Sequence, residues 1–97
     1  MRLFYRTSVG PDAVMRAADG FFAALGLTTS ATQPRLRTFT GPLGTMTLTV
    51  RMEGGHYTFV EVETDQIGES RLDKNVKKFF VALHRTADPS HALEAGY

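Results

Sequence analysis

Glu61, Glu63 and Asp65 recur at every second residue, a spacing that puts side chains on one face of a β-strand. Carboxylates gathered at one strand end could do acid–base chemistry if a pocket held one of them protonated. Thr45, Thr47 and Thr49 show the same spacing, so an exposed carboxylate ladder facing hydroxyls accounts for both rows without catalysis. The histidines (His56, His84 and His91) are scattered and form no HxxxH pair, and the chain has no cysteine. No metal-ligand set emerges, and thiol catalysis, disulfides and thiolate zinc sites are excluded. Ser8, Ser30, Ser70 and Ser90 lack the context of a nucleophile elbow, and there is no glycine-rich phosphate loop. Nothing here calls for a cofactor. An enzyme would need a site assembled from distant positions, for example a pocket holding Glu61, Glu63, Asp65 or His56.

Arg71, Lys74, Lys78 and Arg85 fall on one stripe of a helix, with Lys77 beside them. Such a stripe could contact phosphates, Arg35, Arg37 and Arg51 would add charge, and Tyr57 and Phe59 could stack bases. The net charge of +1 and the acidic stretch from Glu53 to Asp73 oppose that reading. A solvated helix face, with cations favoured near its C-terminal end, explains the stripe better. Nucleic acid is the weaker expectation.

Tyr57 and Phe59 carry the more informative signal, and it depends on the hairpin that holds them. Residues 45–53 alternate Met46, Leu48, Val50 and Met52 with Thr45, Thr47, Thr49, Arg51 and Glu53, the pattern of a half-buried strand. After Gly54-Gly55 a second strand returns over 56–64. A two-residue loop would pair Leu48 with Glu61 and place carboxylates on the apolar face. A three-residue loop, Gly54-Gly55-His56, pairs Val50 with Val60, Leu48 with Val62, Thr49 with Glu61 and Thr47 with Glu63. Since a slip of one residue turns every side chain over, the odd loop is expected. Tyr57 and Phe59 then stand on the far face near Arg51. At about 25 cal/mol per Å², covering part of each ring is worth about 1–2 kcal/mol. The expected interface is therefore Arg51, Tyr57 and Phe59, with Thr47 and Thr49 as complementary packing, and the expected partner is a second copy of the chain. The competing account is that the first strand or the C-terminal tail covers the rings.

The remaining elements read as follows. Arg2 to Thr7 has strand composition. Pro11 and Asp12 open a helix in which Val14, Ala18, Phe21 and Leu25 form the apolar stripe, widened by Met15 and Phe22. Gly26 ends it, with Leu27 placed to touch Phe22 in a Schellman motif. Thr28 to Pro34 reads as a Ser/Thr-rich loop and Arg35 to Thr40 as a strand. Ser70-Arg71-Leu72-Asp73 is a capping-box pattern before a second helix bearing Leu72, Val76, Phe79 and Leu83, with Phe80 alongside and Asp73–Lys77 as an ion pair.

The expected fold is α+β, in the order β-α-β-β-β-α, with a mainly antiparallel four-stranded sheet and two helices packed on one face. The first strand is expected at or near an edge, parallel to its neighbour. This order resembles pared-down helix-grip and TATA-box-binding-like folds in shape alone, which implies no function. Residues 1–86 are expected as one domain and 87–97 as a frayed tail. With 97 residues, such a domain buries roughly 60–65% of its unfolded surface. A small apolar ligand between sheet and helices is a further option, lined by Phe21, Phe22, Phe79, Phe80, Met46 and Met52, although a close-packed core needs the same residues. No apolar run is long enough for a signal peptide or a membrane span, so the cytoplasm is the default location and no membrane partner is expected.

Overall fold

The computed structural model describes residues 1–87. The tail expected to fray lies outside these residues, except for Ala87, which ends the last helix. The elements are β1 (Arg2–Thr7), α1 (Pro11–Ala24), β2 (Thr28–Gln33), β3 (Leu36–Gly41), β4 (Gly44–Glu53), β5 (Tyr57–Thr64) and α2 (Arg71–Ala87). They build an α+β fold with one antiparallel sheet in the spatial order β1-β5-β4-β3-β2.

The sheet has five strands where the sequence suggests four. The extra one is β2, whose six residues are all exposed. It buries nothing and so carries no apolar alternation. Its place rests on backbone pairing with β3 and on threonines that tolerate extended geometry. The register shifts between Thr29 and Ala31, and the Ser30 hydroxyl at that irregularity donates to the Thr38 carbonyl at 3.3 Å.

The added strand also reverses an expectation. β1 lies at an edge but is antiparallel to β5, with Leu3 opposite Val62 and Tyr5 opposite Val60. Through α1 the chain crosses from one edge to the other, so β1 and β2 run the same way. Four antiparallel steps then separate the edges, where three would have made β1 and β5 parallel.

α1 begins at Pro11, with the Val14 N–H donating to the Gly10 carbonyl at 3.0 Å, and ends in a full Schellman motif. The Leu27 N–H donates to the Phe22 carbonyl (3.1 Å) and the Gly26 N–H to the Ala23 carbonyl (3.0 Å). Gly26, at φ 86°, supplies the left-handed residue this closure requires. The buried stripe is Val14, Met15, Ala18 and Phe22. Phe21 packs at its margin, with its ring 5.4 Å from that of Phe79.

Both helices lie on the sheet face that carries Phe39, Met46, Leu48, Val50, Val60 and Val62, and Leu72, Val76, Phe79 and Leu83 of α2 close the core. Phe22 sits at its centre, 5.2 Å from the rings of both Phe39 and Phe79. At one margin Tyr5 stacks on Phe80 at 5.2 Å. Of the six residues named for a ligand pocket, Phe22, Phe79 and Met46 are fully buried and Met52 is half exposed.

α2 starts with Ser70 as its cap. The Asp73 N–H donates to Ser70 Oγ (3.0 Å), and Ser70 Oγ donates to Asp73 Oδ2 (2.8 Å). Asp73 is buried and engaged there, so the expected Asp73–Lys77 pair does not form. Lys77 instead reaches Glu69 at 3.4 Å.

Candidate functional site

The β4–β5 hairpin closes through Gly54-Gly55-His56, with Val50 opposite Val60, Leu48 opposite Val62, Thr49 opposite Glu61 and Thr47 opposite Glu63. Gly54 and Gly55, at φ 64° and 75°, adopt the left-handed backbone such a loop demands. Alternation then places Arg51, Tyr57 and Phe59 with Thr47 and Thr49 on the face opposite the helices. β1 adds Arg2, Phe4 and Arg6 to that face, and β3 adds Leu36, Thr38 and Thr40.

The two aromatic residues singled out in the hairpin differ in their surroundings. Phe59 is only 5% exposed. Phe4 lies 5.5 Å from it, ring to ring, and the guanidinium groups of Arg6 and Arg51 stand 5.0 and 4.3 Å from its centroid. β1 thus covers Phe59, as the competing account held. Tyr57 remains 54% exposed and Phe4 52%. Phe4 belongs to the surface although the hairpin gives no sign of it. The apolar–cationic alternation of Arg2, Phe4 and Arg6 was the available signal, readable only once β1 is paired with β5.

Charge on this face is balanced, with Arg2, Arg6 and Arg51 against Glu53, Glu61 and Glu63. Arg6 crosses β5 to bond Glu53 at 2.6 Å. Arg2 serves two carboxylates, Glu61 at 3.5 Å and Glu63 at 3.7 Å. Among the described residues Arg51 has no carboxylate partner and lies over the Phe59 ring. Neighbouring threonines bond across strands, Thr38 with Thr47 at 3.3 Å and Thr40 with Thr45 at 2.9 Å. The centre of the face thus presents hydroxyls that are bonded to one another.

Asp65 does not join the carboxylate row. It accepts from Gln66 Nε2 at 2.7 Å and from the Thr45 N–H at 3.1 Å. These two hydrogen bonds, the Gln66 one foremost, hold its carboxyl below the ordinary aspartate value. This is a latch on the β3–β4 turn and the opposite of a raised-pKa acid. His56 sits exposed in the hairpin loop and His84 exposed on α2, while His91 lies outside the described residues. Among the described residues no group of three acidic or histidine side chains is placed to hold a metal ion.

The basic residues do not converge. Arg35 bonds Asp12, and Arg37 bonds Asp19 at 3.1 Å, so both are tied to α1 on the helix side of the sheet. Arg51 lies on the other side. Only Arg71, Lys74, Lys77, Lys78 and Arg85 remain together as exposed cations of α2, and no aromatic side chain of the hairpin shares that surface. No helix among the described residues is long and apolar enough to cross a membrane.

No protein-family model matches the chain, and no curated protein matches it.

Proposed function

We propose that this is a non-catalytic interaction domain that associates with a second copy of itself through the open face of its sheet. Tyr57 and Phe4 make the exposed aromatic contact, Phe59 and Arg51 form the platform beneath, and Thr47 and Thr49 provide flat complementary packing. One observation carries the reading. Two half-exposed aromatic rings flank a buried third on a charge-neutral sheet face that no described element covers. Exposed aromatics grouped in this way mark contact surfaces more than solvent-facing ones.

Area bears on the strength of association. Five strands about 4.8 Å apart and about seven residues long present a flat face on the order of 500 Å². That lies below the roughly 800 Å² per partner of a standard interface, so the dimer is expected to be weak, with dissociation in the micromolar range.

Sedimentation equilibrium tests the reading. Wild type should dimerise with increasing concentration, and Phe4→Ala/Tyr57→Ala should remain monomeric while melting cooperatively. These two residues are the choice because Phe59 also supports the monomer. A wild type that stays monomeric at high micromolar concentration overturns the proposal.

A further inference from the structure

We infer that α2 is a second contact surface, whose outward cations Arg71, Lys74, Lys78 and Arg85 bind the phosphate backbone of a nucleic-acid duplex without reading its sequence. This goes beyond the self-association proposed above and does not rest on it.

The helix itself builds the stripe. α2 turns Leu72, Val76, Phe79 and Leu83 into the core, and the side left outward carries cations. At about 100° per residue, Arg71, Lys74, Lys78 and Arg85 fall within about 60° of the circumference, and at about 1.5 Å per residue they form a row about 21 Å long. All four are exposed, as is Lys77 beside them. Among the described residues none of the four is paired with a carboxylate, and Glu69 alone reaches a cation of α2, Lys77 at 3.4 Å.

The net charge of +1 and the acidic stretch from Glu53 to Asp73 oppose such binding only where the acids lie near the row, and Glu69 apart they are engaged elsewhere. Asp73, the one acid in α2, is buried and held by Thr64 and Ser70. Glu53, Glu61 and Glu63 lie on the open face of the sheet with Arg6 and Arg2, and Asp65 latches the β3–β4 turn. α2 alone is about 10 Å across, which is about one Debye length at 0.1 M salt. The open-face carboxylates are therefore screened from the row. A near-zero total combines a neutral sheet face with a cationic helix face.

The chemistry of the face selects the polyanion. Val81 is the only large apolar side chain exposed on α2, whereas a helix that lies in a bilayer surface buries an apolar side there. Phe79 and Phe80 are buried, so α2 exposes no phenylalanine, tyrosine or tryptophan ring on which the bases of a single strand could stack. Charge alone remains, and a duplex offers a straight row of cations one phosphate charge per about 1.7 Å of axis. Contacts of this kind carry no sequence information. Both helices lie on the sheet face opposite Tyr57 and Phe4, so the two surfaces can be occupied together.

Fluorescence anisotropy of a labelled DNA duplex of about 20 base pairs, titrated with the whole chain, tests this. Four phosphate contacts predict a slope of about −3 to −4 for log affinity against log salt. Lys74→Gln/Lys78→Gln should flatten that slope by about two. Lys74→Glu/Lys78→Glu should weaken binding about tenfold or more at low salt, with thermal melts showing that both variants fold. No binding at about 20 mM salt and about 100 μM protein, or binding that neither double variant alters, overturns the inference. Equal or tighter capture by a single strand of the same length, or by vesicles with about 30% phosphatidylserine at the same phosphate concentration, overturns the assignment to a duplex. Sedimentation without DNA reads self-association separately, so a monomeric wild type that binds the duplex overturns that proposal alone.

Discussion

The Thr64 hydroxyl donates a 2.7 Å hydrogen bond to Asp73 Oδ1, tying the last residue of β5 to the first turn of α2. With Ser70 Oγ on Oδ2, both oxygens of a buried carboxylate are satisfied by hydroxyl donors, and no buried side-chain polar atom among the described residues lacks a partner. The acid also sits at the positive end of the helix dipole. Helix start and strand end are therefore one polar unit set into the rim of the core.

Removing that unit should be costly. Asp73→Ala should lower stability by about 2–4 kcal/mol, since it strands the buried Thr64 hydroxyl, takes the acceptor from the half-buried Ser70 hydroxyl and removes a carboxylate from the positive end of the helix. Thr64→Val and Ser70→Ala should cost less singly and combine non-additively, because they share one carboxylate. Urea unfolding of the four variants with unchanged slope checks this, and additive losses at Thr64 and Ser70 would show the two donors to be independent.

Gly20 and Gly44 should respond oppositely to alanine. Gly20 lies within α1 with no heavy atom within 4 Å of an added Cβ, so Gly20→Ala should stabilise by about 0.5–1 kcal/mol. At Gly44, φ is +129° and a Cβ would fall 2.7 Å from Asp65 Oδ1 and 2.6 Å from Gln66 Nε2. Gly44→Ala should destabilise by more than Gly20→Ala gains. Thermal melts of the two single variants decide the signs.

The latch at Asp65 predicts an acid-side dependence. Its folded pKa is depressed, by Gln66 first and the Thr45 N–H second. The unfolded chain therefore binds the proton more readily than the folded one, and stability from this group is present above about pH 4, the ordinary aspartate value. It is lost as pH falls through the lower folded value. The difference in urea midpoint between wild type and Asp65→Asn should be constant above about pH 5 and shrink below about pH 4. A difference that grows on acidification would contradict the sign.

Phe59→Ala should cost about 2–4 kcal/mol although Phe59 lies across the sheet from the helices, because Phe4, Arg6 and Arg51 pack on its ring. Tyr57→Ala should stay within about 0.5 kcal/mol in the monomer, as expected for an exposed position. Equal losses at low protein concentration would mean that Tyr57 supports the fold as well as the face.

Much of this was legible locally. The apolar spacing of Val14, Ala18 and Phe22, the Gly26–Leu27 stop and the Ser70–Asp73 cap are short-range signals, and α1 and α2 follow them. The same holds for the hairpin. Parity between Leu48 and Val62, joined to two glycines able to take positive φ, leaves one register that keeps carboxylates off the core. Where a side chain's fate depends on neighbours within a turn or across a tight loop, residue order alone decides it.

The tertiary structure decided what depends on distant strands. β2 has no apolar code because it buries nothing, and only β3 makes it a strand. Its presence adds one reversal and turns β1 antiparallel to β5, which sets Phe4 and Arg6 beside a phenylalanine more than fifty residues away. The burial of Phe59 against Phe4 and Arg6 follows from that arrangement. The physical reason is that pairing at a sheet edge is made by backbone hydrogen bonds, which every residue but proline can form, so the pairing leaves little mark on residue type.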